Sequence, residues 1–276
     1  MKPLTVIHLS DTHLCRDGQL LHETIDSWQQ IELALEAARA FSPDAIVLTG
    51  DIADRGAPIH SRAAKLFNEF QEELGCPVIS IPGNHDPARS VGAEFNTRRL
   101  STGPHPANTV HEVMGLRIIG LDSGGYQQRQ GELDRAQLQW LESLLTVPAP
   151  RGSLLLIHHP PVEATSEFRA GRGLKDPMAL AAVIAGSDIR AILCGHYHQA
   201  ASSQLLNTPV FMAPAVSYNM NPFASDEVLE ESGAKFALLQ LGLNTVNWSG
   251  ASSDQFTGMP RDVALPAPVS IYENTD

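Results

Sequence analysis

Short apolar runs alternate with amphipathic stretches near the N-terminus of the chain. The runs Leu4–Leu9, Ala45–Thr49 and Val78–Ile81 have the length and apolar character of buried strands. Two stretches between them place apolar side chains at helical spacing. These are Ile25, Trp28, Ile31, Leu35 and Ala38 in the first, and Ala63, Leu66, Phe67 and Phe70 in the second, which runs roughly from Pro58 to Leu74. The order strand, helix, strand, helix, strand predicts parallel strands joined by helical crossovers.

The rest of the chain also divides into apolar runs. Residues 87–108 are rich in Arg, Pro, Ser and Thr and predict an irregular loop over the site. The runs Thr109–Val113 and Leu116–Leu121 predict an antiparallel pair, and Asp134 predicts the N-cap of a further helix. Strands are predicted at 153–157, 189–194, 202–206, 210–212, 236–241 and 245–248, with a short helix near 178–185 and an acidic loop at 219–233.

The central predicted strand is followed directly by a carboxylate. It stops at Thr49-Gly50, and Asp51 comes next. A glycine there lets the backbone turn sharply at the carboxyl end of the strand, where open α/β sheets place their ligands. A carboxylate at that position can bridge two cations, one per oxygen. Taken alone, Asp51 is more simply explained as the cap of the helix that follows.

Four other strand ends carry side chains of the same kind. They are Asp11 and His13, Asn84 and His85, His158, and His196 and His198. Each has an ordinary explanation by itself, because Asp and Asn occupy turns and a histidine after a strand is more often hydrogen-bonded than metal-bound. Their joint placement at consecutive strand ends predicts a metal centre. Oxygen and imidazole donors without a thiolate suit manganese, iron, zinc, cobalt or nickel better than calcium or magnesium.

The spacing within two of these motifs supports shared metal ligands. Asp11 and His13 are one residue apart, and strand alternation would place both side chains on the same side, where both reach one ion. His196 and His198 have the same spacing. Gly195 before them allows the backbone to approach closely.

Composition narrows the class of protein. A chain of 276 residues can bury a substantial core. The formal charge of −12, without a block of lysines or arginines, argues against a nucleic-acid polymer or an anionic membrane as partner. The three cysteines form no CxxC pattern and indicate a reducing compartment. No apolar run approaches the ~18 residues of a membrane span, and the N-terminus shows no cleavage pattern, so we expect a cytoplasmic protein.

The motifs together resemble the calcineurin-like metallophosphoesterases. The matching segments are Asp11-Thr-His13, Gly50-Asp51-Ile-Ala-Asp54, Gly83-Asn84-His85-Asp86, His158 and Gly195-His196-Tyr-His198, in the family's order between residues 11 and 198. The resemblance implies an α/β fold, a four-layer αββα sandwich with mixed sheets. It also implies an enzyme with two divalent or trivalent metal ions, which attacks its substrate with a hydroxide that bridges them.

The resemblance also implies a role for each motif residue. One ion would be held by Asp11, His13 and His198 and the other by Asn84, His158 and His196, with Asp51 shared. His158 is preferred to His159, which is expected to be structural or to lie behind the ligands. His85 would stand beside the leaving group as the catalytic imidazole, with Asn84 as a catalytic residue as well as a ligand. Asp54 and Asp86 would either orient a histidine or simply cap a turn.

The substrate follows from a finer resemblance. Protein serine/threonine phosphatases of the superfamily carry an arginine before the GNH motif, whereas this chain has Ile81-Pro82 there, and Arg55 is expected to be a surface residue. The HLSDTH, HHPP and GHYH segments look most like bacterial class III cyclic-nucleotide phosphodiesterases and glycerophosphodiesterases. We therefore predict hydrolysis of a small phosphodiester, cyclic AMP-like or glycerophosphodiester-like. A phosphomonoesterase or nucleotide phosphatase on the same centre, and a non-catalytic metal-dependent binding module, remain the alternatives.

The domain organisation is predicted as one unit with an appendage. Residues 1–250 form the metallophosphoesterase domain, in which 202–248 are β-rich, and residues 251–276 form an extended tail or a dimerisation arm. The β-rich part would either form a homodimer or complete the sheets of the same chain. The expected partner of the site is a small-molecule phosphodiester.

Overall fold

Two mixed β-sheets, a two-stranded antiparallel pair, five helices and two 3-10 turns make up the ordered elements of the described residues. The structure is a computed structural model that describes residues 2–95, 99–221, 223, 229–230 and 234–255. The strands are β1 (Leu4–Leu9), β2 (Ala45–Thr49), β3 (Val78–Ile81), β4 (Ser101–Thr102), β5 (Thr109–Val113), β6 (Leu116–Leu121), β7 (Ser153–Ile157), β8 (Ile189–Cys194), β9 (Ala201–Leu205), β10 (Thr208–Met212), β11 (Asn219–Met220), β12 (Leu229–Glu230), β13 (Lys235–Leu241) and β14 (Val246–Ser252). The helices are α1 (Ser27–Arg39), α2 (His60–Leu74), α3 (Ala88–Glu94), α4 (Arg135–Leu145) and α5 (Pro177–Ile184), with 3-10 turns at Glu167–Arg169 and Ser253–Gln255.

The two sheets share a plan in which parallel strands occupy the centre. The first sheet has the order β14-β13-β1-β2-β3, with β1, β2 and β3 parallel, β13 antiparallel to β1 and β14 antiparallel to β13. The second has the order β4-β5-β6-β7-β8-β10-β9, with β6, β7, β8 and β10 parallel. The carboxyl ends of the parallel strands within each sheet therefore lie at one edge, where loops can gather side chains from distant parts of the chain.

Three separate apolar cores show that the sheets and helices stack in four layers. Ile7 and Leu9 on one face of β1 pack against α1 and α2. Val6 on the opposite face of β1 packs towards Leu154 and Leu156 of β7 in the core between the sheets. Leu155 on the other face of β7 packs against α4 and α5. The alternation of strand side chains thus assigns each strand to two cores, and the predicted αββα sandwich with mixed sheets is confirmed.

Local sequence signals fix several helix ends. Asp26 accepts hydrogen bonds from the backbone N–H groups of Trp28 and Gln29 and so caps α1. Asp134 and Gln137 form a reciprocal capping box at the start of α4, which confirms the predicted cap. Helix α2 ends at Gly75, whose φ of 69° is the left-handed conformation that glycine adopts without strain.

Three predictions from the sequence need correction. Ile25 was assigned to the first helix but precedes it, because Asp26 caps α1 and starts the helix at Ser27. The region 87–108 is not wholly irregular, since it contains α3 and the short strand β4. Part of the acidic loop 219–233 also pairs, as β11 with β12. Short segments of this kind depend on tertiary contacts more than on local pattern, so their sequences carry little signal.

The C-terminal strands complete both sheets within the same chain. β13 pairs with β1, β14 pairs with β13, and β10 pairs with β8. β14 extends to Ser252, whereas residues 256–276 of the predicted tail lie outside the described residues. Among the described helices, none has the length and apolar character needed to cross a membrane. The domain boundary, the homodimer and the cytoplasmic location stay predictions.

We expect the outer core to depend on Phe67 of α2, whose side chain is only 1% exposed. Phe67→Ala should lower the free energy of unfolding by about 3–5 kcal/mol, because it removes a buried ring and leaves a cavity. Phe223→Ala is the matched control, since Phe223 is 89% exposed and its loss should change the free energy by less than about 0.5 kcal/mol. Urea unfolding curves measure both, and equal values for the two variants would contradict this packing.

Candidate metal centre

The segments after β1 and β2 run side by side and carry the first predicted ligands. The backbone N–H of Asp11 donates to the carbonyl of Gly50 at 3.0 Å, and that of His13 donates to the carbonyl of Asp51 at 2.9 Å. Asp11, His13 and Asp51 have φ values of 53°, 43° and 51°, in the left-handed region. Their side chains therefore do not alternate as in a strand, and the alternation argument for Asp11 and His13 was wrong.

Left-handed backbone recurs at the other histidine motif. His196 and His198 have φ values of 71° and 54°. A left-handed conformation costs a residue with a side chain about 1–2 kcal/mol, so the five candidate ligands that adopt it represent a substantial stored strain. The surrounding hydrogen bonds hold these conformations in place, as is usual at functional sites.

Two glycines allow the ligand-bearing loops to approach one another. A Cβ on Gly195 would collide with Ser10 Oγ and lie 2.5 Å from Asp11 Oδ2. A Cβ on Gly83 would collide with the Asp51 carboxylate. The close approach predicted for Gly195 is confirmed, because any side chain there would displace the carboxylates of the site.

One group of candidate ligands consists of Asp11, His13 and His198. The Nε2 atom of His198 lies 3.3 Å from Asp11 Oδ1 and 3.2 Å from His13 Nε2. His198 Nδ1 is 2.9 Å from the carbonyl oxygen of Tyr218, to which it donates a hydrogen bond. That bond places the proton of the neutral imidazole on Nδ1 and leaves Nε2 with a lone pair that points into the group.

Asp51 stands between this group and a second one. Its Oδ2 atom lies 3.6 Å from His13 Nε2 and 3.3 Å from His158 Nε2. His158 Nε2 is in turn 3.2 Å from Asn84 Oδ1, and His158 Nδ1 donates to the Thr49 carbonyl at 2.7 Å. The Nε2 atom of His158 therefore faces two oxygen acceptors, and Asp51 touches residues of both groups.

His196 joins the second group through its ring. The ring lies 5.0 Å from that of His158, centroid to centroid, and its Nε2 donates to the carbonyl of Arg129 at 3.1 Å. Nδ1 is then the nitrogen with a free lone pair. The backbone N–H of His196 contacts both Asp11 oxygens, at 3.2 and 3.0 Å, so the second group is also tied to the first.

Charge at the centre is unusual for a protein interior. Asp11 and Asp51 are buried, and among the described residues their ion-pair partners are histidines, without any lysine or arginine. Burial would raise the pKa of Asp11, but its interaction with His198 outweighs burial and the pKa falls to about 2. Burial likewise opposes ionisation of Asp51, and His158 holds its pKa well below the usual range. Two ionised carboxylates thus share one buried pocket.

The histidines respond to these carboxylates in two ways. Burial lowers the pKa of His158, but Asp51 and Asp11 overcome the effect and raise it to about 9. Burial lowers the pKa of His196 well below its usual value, and burial also lowers that of His198 despite the attraction of Asp11. The pocket therefore attracts positive charge to the position of His158 Nε2 and keeps the other two imidazoles neutral, as a metal ligand must be.

These observations fit a centre for two cations. Ligand atoms of Asp11, His13 and His198 lie within 4.8 Å of one another, and so do those of Asp11, Asp51 and His158. At the first place lone pairs of imidazole nitrogens and carboxylate oxygens converge, and at the second the two carboxylates draw positive charge to His158, so both places favour a cation. The donor set of oxygen and imidazole suits first-row transition metals.

His85 stands at the exposed side of the centre. Its side chain is 29% exposed, and its ring lies 4.7 Å from that of His13. The backbone N–H of Arg55 donates to His85 Nδ1 at 3.2 Å, so Nε2 carries a proton in the neutral as well as the charged imidazole. Burial lowers the pKa of His85, but Asp54 and Asp51 reverse the effect and raise it. His85 thus offers a hydrogen-bond donor at the rim.

The two aspartates considered from the sequence have different surroundings. Asp54 Oδ1 lies 3.5 Å from Nδ1 of both His13 and His85, so it can orient the ring of His13 and attracts the charged form of His85. Asp86 contacts no candidate ligand side chain and instead accepts backbone N–H groups of Ile52, Ala53 and Gly83. Asp86 therefore fastens the loop after β2 to the loop after β3, and its buried partner is His60.

His159 lies beside the candidate ligands His158 and His196. Its Nδ1 is 2.8 Å from Ser123 Oγ, and a Cβ on Gly131 would lie 2.5 Å from its ring. Its ring is 4.5 Å from that of His196, and its nitrogen falls within 4.8 Å of the ligand atoms of His158 and His196. Burial, with the charge of His158, lowers the pKa of His159 to about 3, so it remains neutral.

Sequence reasoning missed the groups that orient the imidazoles of the candidate ligands. These are the backbone carbonyls of Thr49, Tyr218 and Arg129. Every residue has a carbonyl, so no side-chain pattern could have identified them. The predicted exposure of Arg55 is confirmed, although its backbone N–H has the contact with His85 described above.

Comparison with known proteins agrees with this geometry. The family model for calcineurin-like phosphoesterases matches residues 4–200. The chain is 36% identical over 221 residues to a cAMP/cGMP dual specificity phosphodiesterase of Mycobacterium tuberculosis, covering 78% of this chain and 68% of the relative. It is 32% identical over 216 residues to the probable glycerophosphodiester phosphodiesterase GpdQ of Arcobacter nitrofigilis, covering 77% and 78%.

Among solved structures, a dimetal phosphatase from Danio rerio has the same fold. It superposes with a TM-score of 0.63 and 14% identity, covering 92% of this chain and 97% of the other. Its low identity limits the comparison to architecture. The family match and the identities of the two relatives go further: this chain belongs to the calcineurin-like phosphoesterase family.

Proposed function

We propose that this protein hydrolyses a small phosphodiester, either a 3′,5′-cyclic nucleotide such as cyclic AMP or a glycerophosphodiester, at a centre of two metal ions. The observation that carries the proposal is the position of Asp51, whose carboxylate lies within 3.6 Å of His13 and of His158 and so joins two groups of ligands. A single carboxylate between two sets of lone pairs is what a dinuclear centre requires.

The ligand sets proposed are those implied by the sequence motifs. Asp11, His13 and His198 would hold one ion, and Asn84, His158 and His196 the other, with Asp51 shared. When bound, two such ions lower the pKa of water and neutralise charge on a phosphoryl group. The ions are manganese, iron, zinc or cobalt, which the donor set accommodates.

The chain's own residues supply the rest of the chemistry. His85 presents Nε2–H at the open side of the centre, where it can donate a hydrogen bond or a proton to the leaving oxygen of the diester. The backbone N–H of His85 donates to Asp51 Oδ1 at 2.8 Å, which fixes the imidazole relative to the bridging carboxylate. Asn84, as the neighbour of His85, has an amide that can contact both an ion and the phosphoryl group.

The choice of a diester follows from two lines of support. Both relatives named above are phosphodiesterases by name, one for cyclic nucleotides and one for glycerophosphodiesters. The charge of −12 disfavours a nucleic-acid polymer, since such substrates need basic surface. A phosphomonoesterase and a metal-dependent binding module are the contrary outcomes of the tests below.

We expect the metal-loaded enzyme to prefer diesters. Hydrolysis of bis(p-nitrophenyl) phosphate should exceed that of p-nitrophenyl phosphate, and activity should disappear on chelation and return with manganese or iron. Both rates follow from release of p-nitrophenolate. A strong preference for the monoester would contradict the assignment as a diesterase. If the metal-loaded protein hydrolysed neither ester, the result would favour the metal-dependent binding module.

Asp51→Ala should cost the protein at least one of its two ions, because this carboxylate is proposed to serve both. Metal content per chain, measured by inductively coupled plasma mass spectrometry after gel filtration, provides the readout. Asp17→Ala is the matched control, since the side chain of Asp17 is 83% exposed and should leave the metal content unchanged. Full occupancy in Asp51→Ala would contradict the shared role.

His85→Ala should retain both ions and lower kcat by roughly 10²–10⁴-fold, the usual contribution of a positioned proton donor. The control is His105→Ala, which removes a partly exposed imidazole paired with Asp134. Metal analysis and steady-state kinetics are made on the same preparations. Loss of metal in His85→Ala would show that His85 is a ligand and not the donor.

A further inference from the structure

Residues 124–130, named here the rim loop, cross the edge of the metal centre. The backbone N–H of Gln127 donates to the carbonyl of Asn84 at 2.8 Å, and the carbonyl of Arg129 accepts from His196 Nε2 at 3.1 Å. The rim loop is thus bonded to one proposed ligand on each sheet. Its position relative to the centre is set by the same residues that would hold the second ion.

Three residues of the rim loop adopt a left-handed backbone conformation. Gly124, Gly125 and Gln127 have φ values of 70°, 85° and 65°. The two glycines adopt such values freely, whereas the same conformation strains Gln127, which has a side chain. A strained residue persists only when its surroundings hold it, and here the bond to Asn84 does so. These left-handed conformations on either side of Tyr126 determine where its side chain lies.

Tyr126 is a large aromatic side chain left 44% exposed at the rim. Its hydroxyl end lies against Gly56, since a Cβ on Gly56 would collide with the hydroxyl oxygen and lie 3.1 Å from Cζ. Gly56 in turn donates its backbone N–H to the carbonyl of His85 at 2.9 Å. The ring therefore bridges the rim loop and the turn that holds the proposed proton donor.

We infer that the ring of Tyr126, seated against Gly56, is a platform on which an aromatic ring of the substrate's leaving group stacks. The inference rests on the proposed function, because it places the leaving oxygen at His85. The remainder of the leaving group then extends past His85 towards the rim. An exposed ring fixed at both ends stacks on a base at little cost in side-chain entropy. The substrate class is accordingly a nucleoside cyclic phosphate, since a glycerol group has no ring to stack.

Ligand binding tests the platform without turnover. We expect adenosine monophosphate to bind metal-loaded enzyme more tightly than inorganic phosphate in isothermal titration calorimetry. Tyr126→Ala should weaken binding of adenosine monophosphate by about 5- to 150-fold, the effect that alanine substitution has on base–aromatic stacking, and leave phosphate unchanged. Tyr126→Phe keeps the ring and should bind both ligands as the wild type does. Tyr126→Leu, which retains bulk without an aromatic face, should resemble Tyr126→Ala and serves if the alanine variant does not fold.

Steady-state kinetics should distinguish a cyclic nucleotide from a glycerophosphodiester in the same way. Tyr126→Ala should lower kcat/KM for cyclic AMP by a similar factor and leave glycerophosphoethanolamine within about twofold. Gly56→Ala should reproduce the loss on cyclic AMP, because its methyl group displaces the Tyr126 hydroxyl. Gln128→Ala, at an exposed neighbour in the rim loop, is the control and should change neither substrate.

The two levels of inference fail differently. Equal affinity of the wild type for adenosine monophosphate and phosphate, or equal losses for both ligands in Tyr126→Ala, would overturn the platform and show that Tyr126 only supports the rim loop. Absence of diesterase activity in the wild type, with the preference for adenosine monophosphate intact and lost in Tyr126→Ala, would overturn the proposed function and keep the platform.

Discussion

The negative charges of the buried carboxylates of Asp11 and Asp51 must be compensated, and the rest of the site is arranged around this requirement. Each is ionised and nearly inaccessible to solvent, and the ion-pair partners of both among the described residues are histidines. Two such charges in a protein interior cost several kcal/mol unless cations or strong hydrogen bonds compensate them. Backbone N–H groups of His196 and His85 supply part of the compensation. Bound metal ions would supply the remainder, so the function and the stability of this region depend on the same charges.

This constraint explains why the loops around the site have costly backbone conformations. A carboxylate can reach the centre from a strand end only if the chain turns sharply after the strand. Asp11 and Asp51 do so with left-handed φ, and their segments remain hydrogen-bonded to each other through Gly50 and His13. Gly83 and Gly195 have no side chain to intrude on the space that the carboxylates occupy. Asp86 then ties the two neighbouring loops together through three backbone hydrogen bonds.

The sequence predicted the central strands well because most of their residues are buried and apolar, as in Ala45–Thr49 and Ser153–Ile157. Strands β1, β2, β3, β5, β6, β7 and β8 begin and end at the predicted residues. Helix α3 was missed because its seven residues include a glycine and follow Pro87, in a segment without helical periodicity. The candidate ligands were found by their recurrence at strand ends. Their local geometry was not, since nothing in the letters Asp-Thr-His distinguishes left-handed from extended backbone. The carbonyls that select imidazole tautomers carry no side-chain signal at all.

The location of the centre relates metal binding to the packing of the sandwich. Asp11, Asp51 and Asn84 follow strands of the first sheet, whereas His158, His196 and His198 follow strands of the second. Asp51 and His158 therefore meet across the two sheets, at the edge of the core that Val6 and Leu156 form between them. A ligand that binds the folded state and not the unfolded chain stabilises the fold in proportion to its affinity. The ion proposed to be held by Asp51 and His158 would act on the interface of the sheets itself. The site can form only when the two sheets pack against each other. Once it is occupied, the site in turn stabilises the packing of the two sheets.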